Sequence, residues 1–196
     1  MRKYLYILFI AVFFIACGDD DKAIKVSYKV GDSINLSSYD GKTISLVREK
    51  NGFSLKNDKS KIIIFDFFGT FCPPCKEEAP YLSALQKELK DEVVIIALAY
   101  FEKKDNSKLE LFAKMHKADY FITNDNNGDA IIDMILDDIG YQGVIQLPFK
   151  VMVKDGEYQV FQNQIGIKSE SYFYLGKLNM VNFKKQLQQL LSKNSN

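Results

Sequence analysis

Tryptophan is missing from the 196 residues, histidine occurs once, cysteine three times and proline four times. With so few soft ligands a structural zinc site, which takes about four protein ligands, would have to use Cys72, Cys75, Cys17 and His116 together. His116 ends a helical run, where a surface position accounts for it better than catalysis does. Charge of one sign is also lacking: 26 Lys and Arg stand against 25 Asp and Glu, so nothing pulls the chain toward nucleic acid or toward an acidic substrate. The apolar start from Tyr4 to Ala16 is about 13 residues long, short of the roughly 20 that a membrane-spanning helix requires. There is no internal repeat, no low-complexity tract and no phosphate-binding glycine loop. The length suits one domain with a substantial core.

What is present is organised around residues 61–80. The apolar run Ile62 to Phe68 has strand length, breaks at Gly69, and delivers Cys72-Pro73-Pro74-Cys75 to the start of an amphipathic run from Glu77 to Leu89. That is a strand, a turn and a helix. Two cysteines so spaced at a helix N-terminus can close a small disulfide ring, and the helix dipole with its free N–H groups favours the thiolate of the first. The pair reads as a redox centre. Cys72, at the end of the turn, is expected to expose its sulfur and act as the nucleophile; Cys75, a turn further in, is the resolving thiol. Pro73 and Pro74 carry no N–H, so two potential donors to a Cys72 thiolate are missing. No basic residue separates the cysteines either. Both features imply only a modestly lowered thiol pKa and a reducing couple.

The segment Phe65-Asp66-Phe67-Phe68-Gly69-Thr70-Phe71-Cys72-Pro73-Pro74-Cys75-Lys76-Glu77-Glu78-Ala79-Pro80 resembles the active-site segment of the thioredoxin superfamily, in particular the TlpA/ResA-like thiol-disulfide oxidoreductases. The resemblance runs over most of the chain after about Val30. It implies an α/β thioredoxin fold: a central mixed sheet with flanking helices, an N-terminal β-hairpin, and an inserted helix-strand unit between Ser107 and Ile122. It also assigns roles. Asp66 matches the buried acid of cytosolic-type thioredoxins, and Glu78 matches the acid that the ResA-like group keeps near its disulfide. Either could take the Cys75 proton, because a buried carboxyl has a raised pKa suited to that work. Glu78 reads equally as a solvated helix carboxylate, whereas a charge inside the Ile/Phe run of Asp66 is costly without a purpose. Gly143 to Phe149 resembles the segment that carries the superfamily's cis-proline, here Pro148, with the Leu147 backbone presented to substrate. Family members usually follow that proline with Thr; Phe149 and Lys150 stand here instead. Phe71 replaces the usual Trp.

The first residues look like an export signal: Arg2 and Lys3, then the apolar run, then Phe14-Ile15-Ala16-Cys17, which resembles the lipobox of bacterial lipoproteins. The division expected is a signal peptide over 1–16, a lipidated Cys17 with a tether over 17–29, and a thioredoxin-like domain over 30–196. Lipidating Cys17 leaves one cysteine pair.

Elsewhere, alternation around Tyr39-Asp40-Gly41-Lys42 predicts a hairpin from Ile34 to Leu46, and Val47 to Ser60 reads as a loop. Glu92 to Tyr100 and Tyr120 to Ile122 read as strands. Helices are expected over Ser107–His116, capped by Ser107, and over Asp129–Ile139, capped by Asp129 and stopped by Gly140. A hairpin about Lys154-Asp155-Gly156-Glu157 and a helix from Leu178 to Leu191 close the chain.

The favoured reading is an exported, lipid-anchored oxidoreductase, periplasmic or on the outer face of a membrane, that needs no cofactor. The resemblance implies protein disulfide substrates, such as apocytochrome c, and a membrane electron donor; nucleic acid is not a partner. A disulfide-forming oxidase would need a more acidic Cys72. A copper metallochaperone on the same fold would use Cys-x-x-x-Cys with a downstream histidine. A peroxiredoxin would want Thr three residues before its cysteine, and Thr70 is two before Cys72.

Overall fold

A computed structural model describes residues 26–162 and 171–192; the expected signal segment, Cys17 and most of the tether lie outside them. Strand β4 (Ile62–Phe68) is the middle of a mixed sheet. It pairs in parallel with β5 (Val93–Ala99) and antiparallel with β7 (Phe149–Lys154). On the far side of β5 lies the short β6 (Phe121–Ile122), also parallel. The outer edge of β7 is shared: β8 (Glu157–Gln159) covers residues 152–154 and β9 (Phe173–Leu175) covers 149–151.

Every residue of β4 is buried, because both faces of the sheet are covered. Alternation then sorts its side chains. Ile62, Ile64 and Phe68 enter one cluster with Ala79, Leu82 and Leu85 of α1 (Pro73–Glu88), Phe112 of α2 (Asn106–His116) and Leu187 of α4 (Met180–Ser192). Ile63, Phe65 and Phe67 enter the other, with Ile131 and Ile135 of α3 (Asn127–Asp138) and with Ile34, Leu46 and Phe53 of a small separate sheet. That small sheet runs β1 (Ser33–Ser37), β2 (Thr43–Glu49) and β3 (Gly52–Leu55), all antiparallel. The expected hairpin is its first two strands, in the register Ser37↔Thr43.

Four expectations change. Val47 to Ser60 is not a loop: β2 continues to Glu49, and Lys50-Asn51 turn it into β3, which Gly52 opens opposite Glu49 and whose Phe53 meets Phe65 edge-on at 5.5 Å. The cap of α2 is Asp105, whose carboxylate accepts from the Ser107 and Lys108 N–H groups. The helix therefore starts at Asn106, and the carboxylate serves the free amides of its first turn, ahead of those a Ser107 cap would have reached. Asp129 lies within the first turn of α3 and pairs with Lys104 at 2.6 Å rather than capping. Strand β9 was not foreseen, since three residues between turn signals carry no readable period. Tyr28, within the expected tether, already packs on the domain and donates its hydroxyl to Asn127 Oδ1 at 2.8 Å. No helix among the described residues is long and apolar enough to cross a membrane.

Candidate active site

The turn after β4 is held before the first cysteine is reached. Cys72 N–H donates to the Gly69 carbonyl at 3.0 Å. The Glu102 carboxylate, beyond the end of β5, accepts from both the Thr70 N–H and the Thr70 hydroxyl at 2.5 Å. Its neighbour Phe101 has φ of 62°, the left-handed region that a bulky residue adopts at a cost. Glu102 was not singled out in the sequence, because a charged residue in a polar loop gives no signal of its own.

Cys72 is the N-cap of α1 and Cys75 is its third residue, and the two are joined as a disulfide. Pro73 and Pro74 have no N–H to offer, and the one backbone donor left in the turn, that of Cys75, points at Cys72 Sγ at 3.3 Å. The expected exposure of the Cys72 sulfur is not met. The two cysteines are 5% and 4% exposed, because both join the apolar layer that holds Phe68 and Ala79, with Leu147 packed against it. Phe71, by contrast, is 55% exposed, so it covers the disulfide less than a buried ring would.

Behind this turn the sheet holds a charged cluster in the apolar core. Asp66 and Glu78 are both 2% exposed, which removes the reading of Glu78 as a solvated carboxylate. They meet at a residue that sequence reasoning had noted only as a departure from family habit. Lys150 of β7, wholly buried, is the antiparallel register partner of Asp66, and its ammonium lies 3.3 Å from Asp66 Oδ1 and 2.5 Å from Glu78 Oε2. Those two oxygens have no other donor in reach among the described residues. Glu78 Oε1 accepts from the Leu178 N–H at 2.6 Å, which ties α1 to the approach to α4. Burial pushes the Asp66 carboxyl up to about 6, with Lys150 opposing and Glu78 adding to the shift. The same two carboxyls add to the burial that holds the Tyr120 hydroxyl well above its ordinary range, and they keep the Lys150 ammonium charged against its own burial.

The Leu147–Pro148 bond is cis, as the resemblance implied. Phe149 pairs with Phe67, so Pro148 sits beside the C-terminal end of β4 from which the cysteine turn departs. The Pro148 carbonyl accepts from the Gly176 N–H at 2.8 Å just past β9. Phe149 stacks between Phe67 and Phe173 at 5.1 and 5.3 Å, which accounts for an aromatic where the family usually has Thr. His116 ends α2, packs its ring on Phe112 at 5.3 Å and takes no part in the site.

A stability test follows from the acid. Because the folded value of Asp66 is raised from 3.8 to about 6, the folded protein keeps a proton that the unfolded chain releases between those values. The stability carried by protonated Asp66 is therefore full below about pH 4 and is lost as pH rises through about 6. Roughly two units at 1.36 kcal/mol each give on the order of 3 kcal/mol. Asp66→Asn is expected to be more stable than the parent at pH 8 by up to that amount and equal to it at pH 4, in guanidinium denaturation. Equal stability at pH 8 would mean that Lys150 fully offsets the burial of the carboxylate.

The Redoxin family model matches residues 23–155. The thiol-disulfide oxidoreductase ResA of Bacillus thuringiensis subsp. konkukian is 32% identical over 111 residues, 56% of this chain and 58% of that protein. The chain thus spans little more than half of that relative's length. A ResA of Bacillus cereus is 31% identical over 134 residues, 66% of this chain and 70% of that one. Among solved structures, a thiol:disulfide interchange protein of the thioredoxin family from Chlorobium tepidum TLS matches with a TM-score of 0.57 at 18% identity, over 85% of this chain and 98% of that one. The fold is the thioredoxin fold. With the family match running across the disulfide, the cis-proline and most of the sheet, the chain belongs to the Redoxin family, on the TlpA/ResA-like side of the thioredoxin superfamily.

Proposed function

We propose that this chain is an exported thiol-disulfide oxidoreductase that reduces protein disulfides, with Cys72 attacking and Cys75 resolving. The observation that carries the reading is the Cys72–Cys75 disulfide at the start of α1, with the Cys75 N–H directed at Cys72 Sγ. In the reduced protein that amide and the helix start favour a Cys72 thiolate. The thiolate attacks one sulfur of a substrate disulfide, forms a mixed disulfide, and displaces the other substrate sulfur, which takes up a proton. Cys75 then gives its proton to a neighbouring carboxyl and attacks Cys72 Sγ. The intramolecular disulfide closes and the second substrate thiol leaves. Two electrons pass to the substrate, and a dithiol partner at the membrane returns them by the same exchange run backwards. The cis Leu147–Pro148 segment presents its backbone to the substrate chain. A disulfide of apocytochrome c, reduced to its two thiols, is the substrate that the family resemblance suggests, and the ResA relatives support the reaction type.

With one backbone donor for Cys72 and no cation between the cysteines, the couple is expected to be reducing. Equilibration with glutathione or dithiothreitol should place it nearer the roughly −270 mV of reducing thioredoxin-like couples than the roughly −120 mV of strong oxidants. A value near the second would turn the reading to a disulfide-forming oxidase. Tight copper(I) binding with no disulfide exchange would turn it to the metallochaperone.

The anchor belongs to the same proposal. Mass spectrometry of the protein extracted from membranes is expected to find a diacylglyceryl group on Cys17; a chain that still begins at Met1 would replace the lipid anchor with an uncleaved apolar one.

A further inference from the structure

The turn that carries Cys72 is gripped from another part of the chain. The bond from the Cys72 N–H to the Gly69 carbonyl closes a four-residue turn, with Thr70 and Phe71 as its two central residues. Within it the Phe71 ring lies over Gly69, where a Cβ would come within 2.7 Å of the ring. The backbone N–H and the hydroxyl of Thr70 both donate to one carboxylate, that of Glu102, at 2.5 Å each. Pairing of β5 with β4 ends just before this contact, where the Tyr100 N–H donates to the Phe68 carbonyl at 2.8 Å. Between that bond and Glu102 stands Phe101, at φ 62° and 63% exposed, so burial does little to offset its backbone strain. Such a conformation persists where its surroundings hold it, and the two Glu102 bonds are the next contacts along the chain. In the oxidised protein the disulfide itself fixes the Cys72 sulfur. Once that bond is open, only the turn holds it. We infer that Glu102 is a positioning residue for disulfide exchange: by gripping Thr70 it keeps the reduced Cys72 at the N-cap, with its sulfur against the Cys75 N–H. The inference rests on the oxidoreductase reading for its purpose and on the Thr70 contacts for its geometry.

Glu102→Gln and Glu102→Ala both remove the negative charge, but only glutamine keeps the grip. Its amide oxygen accepts from the Thr70 N–H, and its NH2 donates to the Thr70 hydroxyl, whose oxygen also accepts. The other charged groups of the site, Asp66, Glu78 and Lys150, are common to both variants, so the difference between the two reports the position of Cys72. The full-length protein is reduced and alkylated with iodoacetamide from about pH 5 to 10, a range that spans thiol titration. Tandem mass spectrometry follows Cys72 and Cys75 separately, and insulin reduction is measured alongside. The Cys72 midpoint should lie about half a pH unit higher in Glu102→Ala than in Glu102→Gln, the scale of a helix-end interaction. Insulin reduction should be about ten-fold slower in the alanine variant, because its attacking atom is displaced. A loss of stability alone would leave the Cys72 midpoint where it is. Equal midpoints and equal rates in the two variants overturn the proposal. If Glu102→Ala does not fold, Thr70→Val decides: it keeps the charge and loses one of the two bonds, so its Cys72 midpoint should rise above that of the parent, and a parent-like value overturns the proposal. A midpoint difference between the variants of a parent that reduces no insulin would sink the oxidoreductase reading and keep the grip; insulin reduction with the two variants alike would do the reverse.

Discussion

Cys72→Ser is expected to abolish disulfide reduction, whereas Cys75→Ser should still attack and then stop at a mixed disulfide with its substrate. Burial does not choose between the two sulfurs, which are almost equally shielded. The choice comes from backbone polarity. Cys72 occupies the N-cap and its sulfur receives the Cys75 N–H, so negative charge there meets the positive end of α1. Cys75 sits one turn inside the helix against the apolar layer of Ala79 and Phe68, where a thiol stays protonated until a base removes its proton. A serine hydroxyl ionises far above a thiol and cannot perform either role. Insulin reduction monitored by turbidity tests the loss, and non-reducing gels with mass spectrometry test the trapped adduct. A Cys72→Ser protein that accumulates the adduct would reverse the two roles.

Lys150→Met should be among the most destabilising single changes in the chain. Methionine roughly matches the lysine stem, so the change removes the charge more than the volume. It leaves Asp66 and Glu78 buried beside each other without their shared cation, and breaking a buried ion pair from one side costs about 3–5 kcal/mol. Against a typical total of about 5–15 kcal/mol, that is a large share. The loss should depend on pH in a defined direction. With the ammonium gone, the carboxyls survive burial best when protonated, so the variant should regain stability as pH falls from 8 to 5. Guanidinium unfolding at the two values measures this. A loss below about 1 kcal/mol, unchanged with pH, would mean that water already solvates the cluster.

Much of this architecture was legible in residues 61–80. A run of seven residues that is apolar but for Asp66, and ends at a glycine turn, fits a strand covered on both sides, and the structure sorts Ile62, Ile64 and Phe68 from Ile63, Phe65 and Phe67 as a period of two requires. The same period placed Asp66 in the interior, and the Cys-Pro-Pro-Cys spacing placed the disulfide at a helix start. The Lys154–Glu157 hairpin was readable because Asp155 and Gly156 both take positive φ, as that turn demands. Strand β3 was misread: its four residues are too short for alternation to show, and the Asn51-Gly52 signal fits a loop as well as a hairpin.

Local sequence determined the elements whose cause is local: the period of β4, the proline-depleted donors of the cysteine turn, and the caps and turns with their own chemistry. Tertiary structure alone decided which groups meet around the disulfide turn and behind it. Lys150 is 84 positions from Asp66, and Glu102 is 32 from Thr70. Neither pairing has a local signature, because each depends on strand register and on how β7 and the loop after β5 return to β4. In an interior of low dielectric the Lys150 contact opposes the burial that raises the Asp66 carboxyl. A carboxylate's place along the chain could be read from the sequence, but its proton is governed by neighbours that folding supplies.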